Sequence, residues 1–130
     1  MDYSFSKEEK LCSRKAIESL LKNGKPLFCF PYKVLWVKTD YEQPFPIQVA
    51  FSVPKRRYKR ANKRNIIKRR MREAFRLNKA EIYAILAEKG IKIQLLLVYI
   101  SPEEITYHEM ESKLKTVLNQ IIALVKSTSF

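Results

Sequence analysis

Glycine occurs only twice in this chain of 130 residues, and histidine once, as His108. Such scarcity leaves no material for a Gly-rich phosphate loop. Neither G-x-x-x-x-G-K nor G-x-G-x-x-G is present, so a nucleotide cofactor has no local support. A lone histidine excludes a multi-histidine zinc site and leaves a His-based triad little to work with. The two cysteines, Cys12 and Cys29, form no C-x-x-C pair and are expected to be reduced, partly buried thiols. No apolar run exceeds Leu95 to Ile100, far short of a membrane span, and the opening MDYSFSKEEK carries no apolar signal region. The expectation is a soluble, cytoplasmic protein with no membrane partner. Acids are also scarce, 13 against 26 bases. Glu103, Glu104, Glu109 and Glu111 surround a helix start, where negative charge favours the helix dipole. Asp40 and Glu42 fall in a loop. No spacing resembles a carboxylate dyad or an H-x-E metal box, so neither a catalytic residue, nor a metal ligand, nor a small-molecule cofactor site is expected. The chain reads as built to bind.

What is abundant is positive charge, and it is concentrated. Twelve of the 26 bases lie between Lys55 and Arg76, with Glu73 the single acid among them. Charge at that density repels itself, so folding does not explain it, whereas a polyanionic partner does. An ordinary solvated helix face would mix signs for i, i+4 pairing, and this one does not. An anionic membrane or a calmodulin-like groove is an alternative, but the apolar residues interleaved with the bases look committed to a core. Nucleic acid is the favoured partner.

With 46% apolar and 30% charged residues the chain fits one globular RNA-binding domain over 1–130, with roughly ten N-terminal and four C-terminal residues loose. Ser13 caps a helix to about Asn23, its stripe formed by Ala16, Ile17, Leu20 and Leu21, with Gly24 as terminator; Ser6 with Glu9 makes a competing capping box. A strand is expected over 32–37. Ile47, Val49, Phe51 and Val53 alternate with Gln48, Ala50 and Ser52, giving a strand with one large apolar face and one shallow face. A helix follows over 62–78, extended by 80–87 and stopped at Gly90. Its bases Lys68, Arg69 and Arg72, with Arg76, fall within roughly 60° of Asn65 around the helix axis, while Ile67, Met71, Ala74 and Phe75 gather beside them. A strand over 91–100, buried on both faces, and a last helix opened by Thr106 and Glu109 complete the order α-β-β-α-β-α, with a third strand if 27–53 splits. The class is α+β: a small sheet with helices packed on it.

Phe28, Phe30, Tyr32 and Trp36 cluster near the first strand. Core packing is the plain reading of each. Stacking on unpaired RNA bases is the functional one, with Trp36 the favoured platform.

Phe51-Ser-Val-Pro-Lys-Arg, followed by Lys63-Arg-Asn-Ile-Ile-Lys-Arg-Arg-Met-Arg-Glu-Ala-Phe-Arg76, resembles the bacterial ribonuclease P protein subunit, whose signature is an R-N-R-x-K-R helix followed by R-E-A-F. The likeness extends to the first helix with its K-N-G-K ending, to strand 91–100 and to Thr106-Tyr-His-Glu109. It implies an α-β-β-β-α-β-α sandwich with a left-handed β-α-β crossover. It also implies a catalytic RNA subunit that uses Mg²⁺ to free the 5′ end of precursor tRNA, while the protein binds that RNA and the single-stranded 5′ leader. Arg64, Asn65, Lys68, Arg69 and Arg72 match the family's RNA-contacting motif, and Lys55 and Arg56 its basic pair after the strand; the concentration of charge adds Arg57, Lys59, Arg60, Lys63 and Arg76 as RNA-binding candidates. The leader candidates are Trp36, Ile17, Leu21 and Ser52. The chain departs from the family at Ile66, where the motif has arginine, and at Tyr58-Lys-Arg-Ala61, which replaces G-N-A. Ile17 and Leu21 stand where many members place aromatics. A small ribosomal or RNA-chaperone protein without a role in cleavage is the alternative; a self-contained nuclease is opposed by the missing acidic cluster.

Overall fold

The computed structural model describes residues 4–39 and 43–127. The loop carboxylates Asp40 and Glu42 and the last three residues lie outside them. The described elements are α1 (Arg14–Asn23), β1 (Lys25–Cys29), β2 (Tyr32–Thr39), β3 (Ile47–Ser52), α2 (Ala61–Asn78), α3 (Ala80–Lys89), β4 (Lys92–Tyr99) and α4 (Tyr107–Ser127), preceded by a short 3-10 turn over Lys7–Glu9.

The region 25–52 does split into three strands, and the sheet order is β1-β2-β4-β3. β1 and β2 form a hairpin, with Phe28 opposite Lys33. β4 lies between β2, to which it is antiparallel, and β3, to which it is parallel. This is the strand expected to be buried on both faces, and Ile93 to Leu97 are all buried. Parallel neighbours need a crossover, and α2 with α3 supplies it.

Alternation along each strand divides the sheet into two faces. Tyr32, Val34, Trp36, Ile47, Val49, Ile93, Leu95, Leu97 and Tyr99 point to one side. There they join Ile67, Met71, Ala74 and Phe75 of α2 and the Met110, Leu114, Val117, Leu118, Ile121 and Val125 stripe of α4. Full burial of side chains of this size is worth roughly 1.5–3 kcal/mol each before entropy is counted. The opposite face is lightly covered. Leu11 and Leu20 pack on Leu35 and Leu96, with Ala16, Ile17, Val37, Ala50 and Val98 at the margin. Among the described helices only α1 lies there, and Leu21, read from sequence as part of its packing stripe, is 60% exposed.

Both candidate caps at the N-terminus are used. The Ser13 hydroxyl accepts from the Ala16 N–H at 3.2 Å and starts α1. Further upstream, the Ser6 N–H donates to Glu9 Oε1 at 2.9 Å and closes the 3-10 turn. The expectation of a loose N-terminal segment is corrected for residues 4–10: the Leu11 N–H donates to the Val49 carbonyl at 2.9 Å, and Glu9 is 1% exposed. Gly24 ends α1 because of close approach rather than an unusual φ, since a Cβ there would sit 2.5 Å from the Leu20 carbonyl oxygen. Gly90, at φ +67°, takes the left-handed cap of α3 that favours glycine.

The helical region expected to run on from 78 is broken at Lys79. The Asn78 side-chain amide donates to the Ala74 carbonyl at 2.8 Å and to Glu111 Oε2 at 3.0 Å, competing with the backbone for the last turn of α2. Lys79 turns inward and donates to Glu9 Oε2 at 2.5 Å, with both side chains nearly sealed from solvent. It also donates to the Ser4 carbonyl, and the Tyr83 hydroxyl donates to the same Glu9 oxygen. Burial pushes the Glu9 carboxyl up, but these donors outweigh it and hold the group below its ordinary value.

Candidate nucleic-acid interface

Pro54 ends β3, and a turn over 54–60 carries the chain to α2. The Arg57 and Tyr58 N–H groups both donate to the Pro54 carbonyl, at 3.2 and 3.3 Å. Tyr58 is the turn's anchor: its ring is buried and its hydroxyl donates to the Ser101 carbonyl at 3.0 Å. Burial pushes the phenol up to about 12, so it stays protonated and donating at neutral pH. From one helical turn below, the Arg64 guanidinium donates to the Tyr58 carbonyl at 2.7 Å and to the Lys59 carbonyl at 3.0 Å. Lys55, Arg56, Arg57, Lys59 and Arg60 are thereby held on an ordered turn with their side chains exposed.

On α2 the expected division of faces holds. Ile67, Met71, Ala74 and Phe75 are buried; Asn65, Arg69 and Arg72 are exposed, and Lys68 is half-buried. The bases are not equivalent, however. Lys63 donates to Glu104 Oε2 at 2.6 Å, and Arg70 stands 3.7 Å from the other oxygen of that carboxylate. Arg76 donates to Glu73 at 2.5 Å. The hydrogen bonds from Lys63 and Arg76 hold the Glu104 and Glu73 carboxyls below their usual range. Arg64, half-buried, clamps the turn. The structure thus divides the twelve sequence-predicted residues. Among the described residues, the turn's five bases together with Lys68, Arg69 and Arg72 form no ion pair, and Asn65 lies on the same exposed side. Lys63, Arg64 and Arg76 also carry intramolecular bonds.

A cleft of about 440 Å³ runs between α1 and the thinly covered sheet face. Ile17 and Leu21 form its wall, Leu35, Ala50, Ser52, Leu96 and Val98 its floor, and Lys33 and Arg56 its rim. Three of the four leader candidates, Ile17, Leu21 and Ser52, are therefore in one place. Trp36 is not. It is 2% exposed, on the opposite face among the α2–α4 core, with the Lys25 amine 5.2 Å from its ring centroid. Its role as a stacking platform is corrected. In β2 the residues facing the cleft side are Lys33, Leu35 and Val37, and one step along a strand reverses the face. The alternating pattern Tyr32, Val34, Trp36 was the signal that put it in the core.

Among the described residues the open aromatics are the hairpin pair. Phe28 is 65% and Phe30 59% exposed. Phe28 lies opposite Lys33, whose amine is 5.9 Å from the Phe28 ring centroid, so this ring adjoins the rim of the cleft. The thiols are free, with Cys29 half-buried as expected but Cys12 exposed.

The cleft opens at Arg56 directly onto the basic turn. One continuous surface therefore combines a shallow, partly apolar trough with clustered cations.

Comparison with known proteins adds the family. The sequence matches the Ribonuclease P family over residues 5–122. It is 30% identical over 127 residues to the "Ribonuclease P protein component" of Porphyromonas gingivalis strain ATCC 33277, covering 98% of this chain and 93% of that protein. It is 33% identical over 105 residues to the protein of that name from Chlorobium phaeobacteroides, covering 75% and 72%. Among solved structures, the Staphylococcus aureus RNase P protein superposes with a TM-score of 0.71 at 19% identity, over 87% of this chain and 94% of that one. The Thermotoga maritima RNase P protein superposes with a TM-score of 0.66 at 22% identity, over 86% and 96%. These two likenesses establish the α+β fold; the sequence match establishes kinship, and the chain belongs to the ribonuclease P protein component family.

Proposed function

We propose that this chain is the protein subunit of ribonuclease P, and that it binds the enzyme's catalytic RNA and the 5′ leader of precursor tRNA. The observation that carries this reading is the junction at Arg56, where the α1 cleft meets the basic turn. Lys55, Arg56, Arg57, Lys59 and Arg60, with Asn65, Lys68, Arg69 and Arg72, contact phosphates of the catalytic RNA. Each neutralised phosphate releases counterions and strengthens binding as salt falls. The leader lies in the cleft with unpaired bases against Ile17, Leu21 and the Ser52 strand, and Phe28 offers a stacking face at the rim.

Removal of the leader and release of the mature tRNA 5′ end belong to the RNA with its bound Mg²⁺. In this reading the protein's part is to bind and to screen. Its cations offset repulsion between leader and RNA phosphates and lower the Mg²⁺ concentration that cleavage requires. No helix of the described residues is long and apolar enough to cross a membrane.

The test is cleavage of a precursor tRNA by the cognate catalytic RNA at low Mg²⁺, with RNA alone, protein alone and both together. Cleavage at the 5′ end only when both are present is expected. Binding without rescue would move the protein to the ribosomal or chaperone class. The cleft is tested separately by Leu21→Ser, at an exposed position where the fold tolerates the change. Affinity for precursor tRNA should fall about fivefold while affinity for mature tRNA is unchanged. Equal losses would remove the leader from this cleft.

A further inference from the structure

A second groove, of about 570 Å³, opens on the other side of α1 from Ile17 and Leu21. Its floor is polar. Gln48 of β3 and Gln94 of β4 are paired across the parallel ladder, and both line it. Its lip carries Lys10, Lys15 and Ser13, the residue that caps α1. Among the described residues no acidic side chain lines it.

Gln94 is the informative residue. It is 8% exposed, yet no other described residue hydrogen-bonds its side-chain amide. That amide is not sealed beneath the floor, as Gln43 Oε1 is, but reaches the groove. Held in the floor and turned to the groove, this amide offers a donor and an acceptor side by side. Beside it, the Gln48 amide donates only one long bond, 3.4 Å to the Glu8 carbonyl, and its oxygen is left open. Paired donor and acceptor groups on a concave floor match the edge of a nucleobase. Two lysines and the start of a helix at the lip match its phosphate.

We propose that this groove binds one unpaired RNA nucleotide, with its base edge on the Gln94 and Gln48 amides and its phosphate beside Lys10 and Lys15. The inference rests on the chain being an RNA-binding subunit, and it adds a base-reading position distinct from the leader cleft. Duplex RNA does not fit it, because pairing occupies the Watson–Crick edge and the deep, narrow major groove of A-form RNA keeps the remaining edge out of side-chain reach.

The experiment is a titration of the isotope-labelled full chain with a short single-stranded oligoadenylate, and separately with inorganic phosphate, read at the glutamine side-chain amide resonances. The Gln94 and Gln48 amides should move with the oligonucleotide and not with phosphate. Gln94→Leu should lower oligoadenylate affinity about fivefold without changing its salt slope. Gln48→Leu, at a less buried position, should act in the same direction and guards against a folding defect in β4. Stationary glutamine amides alongside shifts at Ser52 and Val98 would reject the second site and leave the leader cleft standing. Equal responses to phosphate and oligonucleotide would reduce the groove to an anion contact and reject base reading. Absence of shifts anywhere would overturn this proposal and the RNA-binding reading together.

Discussion

Replacing Lys68, Arg69 and Arg72 together by alanine will flatten the salt dependence of binding to the catalytic RNA by about 2 to 3 in log–log slope, and will cost roughly a hundredfold in affinity at physiological ionic strength. The size follows from the division of labour along α2. These three bases form no ion pair among the described residues, so their charge remains available for phosphate, whereas Lys63 and Arg76 are already turned toward Glu104 and Glu73. Alanine favours the helix, and none of the three belongs to the buried set of Ile67, Met71, Ala74 and Phe75, so the fold is retained. Circular dichroism melts of the variant serve as the control. A slope equal to that of the parent chain would mean that phosphates meet another surface. Substituting Lys63 and Arg76 instead should change the slope less, because each must first leave a carboxylate.

Glu9→Gln is expected to lower unfolding free energy by about 3 kcal/mol, because it leaves the Lys79 ammonium buried without a counter-charge. Lys79 has little alternative: its amine lies 5.9 Å from the Phe5 ring centroid and 5.1 Å from that of Tyr83, contacts that help a cation but do not neutralise it. The effect depends on pH. Since the folded carboxyl is held below its ordinary 4.5, its contribution is complete above that value and is lost as the pH falls through the lower, folded value. The gap between parent and variant in unfolding free energy from urea titration should therefore be widest near neutrality and shrink below pH 4.5. A gap that stayed constant into the acid range, or one under about 0.5 kcal/mol at neutrality, would mean that the pair contributes no more than a surface contact.

The parts of the structure legible from sequence were those governed by period. The strict alternation of 47–53 announced both faces of β3, and the apolar positions of α2 and α4 announced their buried sides. The basic face was legible because charge segregation needs no tertiary information. Parity in β2 puts Trp36 with Tyr32 and Val34 in the core, against the expectation of a stacking platform, and on the neighbouring edge strand it puts Phe28 on the side of Lys33. What the sequence could not show was pairing at a distance. Glu9 and Lys79 are 70 positions apart, so a segment that looked like a polar tail proved to be tied into the helical layer. The consequence for function was the same in kind: nothing local distinguishes Arg64, which holds the turn, from Arg69, which does not.

Because β4 separates β2 from β3, the middle of the sheet is the last strand to leave the ribosome. The emerging chain presents its whole cationic segment, Lys55 to Arg76, before residues 92–99 exist to pair with the strands already made. At that stage neither trough beside α1 has a floor, since one needs Leu96 and Val98 and the other Gln94. Long-range pairing of this kind closes late. Non-specific attraction to polyanions is thus present early in synthesis, whereas discrimination by shape arrives only with the final third of the polypeptide.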